Sequence, residues 1–127
     1  MVKIEAAESL QLAVLAAQVA DEVKVEDLRI LRIGHLCGFA DYFVIGTCRS
    51  RTQLRAATHR IIESGKEHGR YRLGYEGEDS ENWMLLDYGD VVIHLFSPDS
   101  RAYYNLERLW GDAEEVEWSP TAAPIEA

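Results

Sequence analysis

Residues 83–112 read WMLLDYGDVVIHLFSPDSRAYYNLERLWGD, two apolar runs, a glycine turn and the opening of a helix in one short stretch. Trp83 to Asp87 and Val91 to Phe96 are separated only by Tyr88, Gly89 and Asp90. That connection is too short for a crossover and contains the glycine that a tight reversal needs, so the two runs are expected to pair as an antiparallel hairpin. Ser97 then stands as an N-cap, Pro98 at the first helical position and Asp99 in the first turn, while Gly111 follows Trp110 as a stop. The spacing puts Tyr103, Leu106 and Trp110 on one face of that helix.

Upstream, the alanine-rich segment from Glu5 to Lys24 carries Leu12, Leu15, Val19 and Val23 at helical spacing and reads as an amphipathic helix. Leu28 to Ile33 is short and β-branched, with Gly34 closing it. Asp41 precedes YFVIGTC, an apolar run suited to a strand buried on both faces. Ser50 with Gln53 three residues on matches a capping box, and Leu54, Ala57, Ile61 and Ile62 form the apolar stripe of a second helix. Tyr71 to Leu73 reads as a short strand before the polar loop GYEGEDSEN. Helix, two strands, helix, three short strands and helix make an α/β domain whose sheet is mixed and flanked by helices.

With 127 residues the chain is one domain in length. No apolar run approaches the roughly 20 residues of a membrane helix. The opening MVKIEAAESL resembles neither a secretory signal nor a transit peptide, so a cytoplasmic setting is expected. Cys37 and Cys48 lack metal-ligand spacing and read as buried or half-buried thiols. The net charge of −9 is uneven. Residues 112–127 hold five acids and no Lys or Arg, which divides the chain into a body of residues 1–111 and an acidic tail, disordered or loosely draped unless Trp118 finds a pocket. Seven bases lie between Arg49 and Arg72 against Glu63 and Glu67, so a local positive face survives.

Chemistry would first recruit Asp41, Asp87, Asp90 and His94, since paired carboxylates hold Mg²⁺ or divide acid and base roles. A metal-dependent nucleotide-transfer enzyme using Asp41, Asp87 and Asp90 is one reading. The plainer one has Asp87 and Asp90 binding turn amides and His94 as an imidazole at the edge of the core. No P-loop, GxGxxG or GxSxG motif is present, and no cofactor is implied. Arg51, Arg55 and His59 recur along the second helix as a polar stripe, either solvated or touching RNA phosphates. Trp83 and Tyr88 bracket the hairpin, where large rings belong to a core or anchor an interface.

The segments GFADYFVI (residues 38–45), LLDYGDVVIHLF (residues 85–96) and YNLERLWGD (residues 104–112), with Ser50 and Gln53 between, resemble the ribosomal silencing factor, or Iojap-like, family over roughly residues 5–113. The resemblance implies a nucleotidyltransferase-like fold without its catalytic motif, and a binder rather than an enzyme. It further implies a translational repressor that docks on the large ribosomal subunit through ribosomal protein L-fourteen and blocks the small subunit when nutrients are scarce. Carried onto this chain, it makes Trp83, Asp87, Tyr88, Asp90 and His94 the expected partner-binding residues. Arg51 and Arg55 then face RNA or solvent, and an exposed strand edge could pair two copies into a homodimer.

Overall fold

The computed structural model describes residues 6–121. The elements in chain order are α1 (Ala6–Glu22), β1 (Glu26–Arg32), β2 (Tyr42–Thr47), α2 (Arg51–Glu67), β3 (Gly74–Glu76), β4 (Trp83–Asp87), β5 (Val91–Phe96), α3 (Pro98–Tyr104), α4 (Leu106–Leu109) and β6 (Glu114–Val116). Among the described residues the strands form one mixed sheet in the order β3-β4-β5-β2-β1-β6. β2 and β5 run parallel at its centre, and the remaining neighbours pair antiparallel. The hairpin read from the sequence is present, with Leu85 opposite His94 and Asp87 opposite Val92.

Alternation of side chains along the central strands divides the core in two. Tyr42, Val44, Met84, Leu86, Val91, Ile93 and Leu95 pack on one face under α1 and α2. Phe43, Ile45, Val92 and Phe96 point to the other, where Leu106 and Trp110 give partial cover. Each residue of β2 is buried, as its apolar run required. Close packing explains Gly46, where a Cβ would come within 2.6 Å of Val25 and 2.8 Å of Leu28. Ser50 accepts a hydrogen bond from the Gln53 amide at 3.0 Å, and the Gln53 carboxamide oxygen accepts from the Arg49 amide at 2.6 Å, which closes the cap of α2.

The helix read from Pro98 to Trp110 is broken. Asn105 adopts φ +45°, a conformation that asparagine tolerates, and separates α3 from α4. Leu106 and Trp110 therefore turn onto the sheet while Tyr103 stays 81% exposed, so the three do not share a face. The strand expected at Tyr71–Leu73 starts later, at Gly74 opposite Asp87, and the Leu73 amide just before it donates to the Asp87 carbonyl at 2.7 Å.

The acidic segment after Asp112 gives β6, an edge strand on β1, where the sequence reading expected looseness unless Trp118 found a site. Trp118 packs against the core and its indole N–H donates to the Leu28 carbonyl at 3.4 Å. Glu115 pairs with Arg29 at 3.1 Å and Glu114 approaches Arg32 at 4.0 Å, so the strand's acids meet the basic residues of β1. Residues 122–127 of the expected tail lie outside the described residues.

Arg101 locks α3 against the sheet. Its buried guanidinium donates to the Asp27 carbonyl at 2.7 Å and the Thr47 hydroxyl at 2.8 Å, and pairs with Glu107 at 3.2 Å. Losing one partner of such a buried pair costs roughly 3–5 kcal/mol, and less here because Asp27 and Glu107 keep access to water. Arg101→Ala is expected to lower unfolding stability by about 2 kcal/mol in urea titrations.

Candidate functional site

In β4, Met84 and Leu86 are buried while Trp83, Leu85 and Asp87 remain half-buried. These three therefore point away from α1 and α2, to the thinly covered face, where their cross-strand partners on β5 are Phe96, His94 and Val92. A continuous aromatic surface follows. Phe43 contacts Phe39 at 6.2 Å, His94 at 4.7 Å and Trp110 at 5.6 Å between ring centroids, and Phe96 stacks on Tyr104 at 5.8 Å. Phe39 is 63% exposed and Tyr104 53%, leaving exposed aromatic surface on the side of the sheet that carries Trp83 and Leu85. Exposed apolar surface of this continuity marks a contact site.

The expected partner-binding residues separate into two groups. Trp83, Asp87 and His94 lie on the open face. Tyr88 and Asp90 do not: the Tyr88 ring is only 3% exposed and packs in the core beneath the helices, with its hydroxyl beside Gly65. Tyr88 continues the alternation of Met84 and Leu86 and so faces the helices, before Gly89 at φ +88° reverses the chain. Burial raises the Tyr88 phenol above its ordinary value. Asp90 is also buried and accepts the Ser9 hydroxyl at 2.7 Å and an ion-pair hydrogen bond from Arg70.

Asp41 stands beside this network, with Ser9 Oγ at 3.4 Å, while its backbone amide donates to the Asp90 carbonyl at 2.7 Å. Asp87 instead accepts the Gly89 amide at 2.7 Å, closing the turn as the plainer reading expected. Its carboxylate is committed to the turn while those of Asp41 and Asp90 meet at Ser9. Among the described residues no three His, Cys, Asp or Glu side chains are gathered as a metal ion requires.

His94 sits at the centre of the open face, edge-on to Phe43 and stacked at 6.1 Å on Phe96. Its Nε2 is enclosed and has no hydrogen-bond partner, and burial lowers its pKa to about 4. Arg51 and Arg55 lie on the exposed side of α2, the layer that covers the opposite face of the sheet, and Arg51 approaches Glu81 at 3.6 Å. Cys48 is buried, with its thiol pushed up to about 12, and Cys37 is half-buried. Sequence reading missed Leu85, Phe39 and Tyr104. Leu85 was signalled by its alternation with Trp83 and Asp87, whereas Phe39 and Tyr104 join the face only through tertiary packing.

These features define an α/β domain whose mixed sheet is sealed by long helices on one face and thinly covered on the other. The model of the family described as "Ribosomal silencing factor during starvation" matches residues 6–126. The chain belongs to that family, whose members are noncatalytic translational repressors acting on the large ribosomal subunit. It is 43% identical to ribosomal silencing factor RsfS of Halalkalibacterium halodurans, over 87% of this chain and 92% of that one. It is 42% identical to the chloroplastic protein Iojap of Arabidopsis thaliana, over 87% of this chain and 46% of that longer protein. A crystal structure of a Chromobacterium violaceum protein superposes with a TM-score of 0.76 at 31% identity, covering 94% of this chain and 96% of that one.

His94 makes stability depend on pH. Its folded pKa lies below the ordinary 6.5, so its contribution is fully present above pH 6.5 and is lost as the pH falls towards 4, where the unfolded chain binds the proton and the folded one does not. Urea unfolding at pH 7.5 and pH 5 is expected to differ by about 1–2 kcal/mol more in the wild type than in His94→Leu.

Proposed function

We propose that this repressor grips the large ribosomal subunit with the open sheet face, through Trp83, Leu85, Asp87 and the aromatic rim around His94. The observation that carries the reading is the one-sided cover of the sheet: long helices seal one face, and short α3 and α4 leave Trp83 and Leu85 half-exposed on the other. The contact is with ribosomal protein L-fourteen, as the family resemblance implies. Aromatic anchors supply most of the binding energy at such a surface, and Asp87 adds a negative charge suited to a basic ribosomal protein. Bound there, the body of the domain obstructs the small subunit and lowers translation when nutrients are scarce.

A homodimer would draw on the same apolar face, so self-association competes with ribosome binding. The nucleotidyltransferase-like fold without its catalytic motif is carried here by the family resemblance alone. We place the protein in the cytoplasm, where ribosomes work. Among the described residues no helix is long and apolar enough to cross a membrane.

The test is subunit association followed in sucrose gradients. Purified protein is expected to shift joined ribosomes to free subunits, and Trp83→Ala with Leu85→Ala should weaken binding to the large subunit by at least about tenfold. Arg55→Ala on the opposite layer should leave that binding within about twofold. Unchanged subunit joining with the wild-type protein would remove the proposal.

A further inference from the structure

A second surface lies on the α2 side of the sheet, away from the docking face. Between the end of α2 and β3 is an open cleft of about 450 Å³, of the size that holds a small ligand or one nucleotide. Lys66, Arg70 and Arg72 line it against a single acid, Glu78, in a chain whose net charge is −9. Arg70 is spent on the buried Asp90 and its Nη1 is enclosed, which leaves Lys66 and Arg72 as the cations that face the cleft. Arg72 has no ion pair among the described residues and lies 5.7 Å from the Tyr75 ring centroid. Lys66 reaches Glu63 only at 3.7 Å, with both side chains exposed, an interaction worth little.

These cations are not consumed by the helix end. The amides of His68 and Arg70 reach the Gly65 carbonyl at 3.0 and 2.8 Å, and the Gly69 amide reaches the Lys66 carbonyl at 3.0 Å, so the last turn of α2 is already capped by backbone. Beside them Tyr71 is 65% exposed. A ring open to solvent next to the Arg72 guanidinium and the Lys66 ammonium has the two parts of a single-strand site: a stacking platform for a base and cations for the phosphate.

We propose that this cleft binds single-stranded RNA, with a backbone phosphate on Arg72 and Lys66 and the adjoining base stacked on Tyr71. Charge complementarity selects the occupant. The cleft attracts a polyanion that the rest of the acidic surface repels, and the exposed ring favours a nucleic acid over an acidic peptide. The site does not depend on the ribosomal docking face.

The experiment is fluorescence anisotropy of a labelled, unstructured oligoribonucleotide titrated with the full chain at several salt concentrations. Binding should weaken as salt rises, Arg72→Ala and Tyr71→Ala should each weaken it about fivefold or more, and Arg72→Ala should flatten the salt slope by about one ion. Arg60→Ala, on the same helix and paired with Glu22, should stay within about twofold. Both test residues are exposed, and thermal melts of the variants confirm folding. Absence of RNA binding at low salt, equal losses in Arg60→Ala, or equal competition by a polyglutamate peptide would overturn the proposal. Trp83→Ala leaves RNA binding intact, so failure here and failure of the docking face are read separately.

Discussion

The buried carboxylate of Asp90 holds the two layers of this domain in register. It takes the Ser9 hydroxyl from α1 and the Arg70 guanidinium from the turn after α2, and its own carbonyl receives the Asp41 and Tyr42 amides at the start of β2. A carboxylate out of water is costly unless its oxygens are all engaged, and here both are. Three segments distant in sequence therefore converge on the turn that begins β5. That clamp fixes how the hairpin lies against the helices, and so which of its faces is sealed and which is left open.

The open face follows from strand geometry. Because successive side chains alternate, seating Met84, Leu86 and Tyr88 under the helices sends Trp83, Leu85 and Asp87 to the other side without further instruction. A slip of one residue would exchange the two sets. The face is then set by packing: Phe43 and Phe96 floor it, and Arg101 holds α3 so that Tyr104 stacks at its rim. A rigid, partly aromatic surface loses little entropy on binding, which suits a protein whose action is to stay in place on a much larger assembly.

Much of this was legible in the residues. The hairpin, the buried strand, the capped second helix and the opening of the third each rest on local rules that the structure satisfies. What the sequence did not disclose depends on contacts far along the chain. Tyr88 sits in a turn and so looked exposed, yet it keeps the alternation of Met84 and Leu86 and its ring lies beside Gly65. Asp90 resembled a surface acid because its partners, Ser9 and Arg70, are 81 and 20 residues away. The break at Asn105 hides within an otherwise continuous helical pattern, and β6 emerges from acidic composition only because Arg29 and Arg32 wait on the edge of β1. Family resemblance named the partner but not the face, since recurrent residues on both sides of the hairpin look alike in a sequence.

Side-chain footprinting by hydroxyl radicals, comparing the free protein with the protein bound to purified large ribosomal subunits, tests the central claim most directly. Labelling of Trp83, Leu85, Phe39 and Tyr104 should fall severalfold on binding, while buried Tyr88 is protected in both states. Undiminished labelling of those four, with protection confined to the outer side of α1 and α2, would contradict that claim.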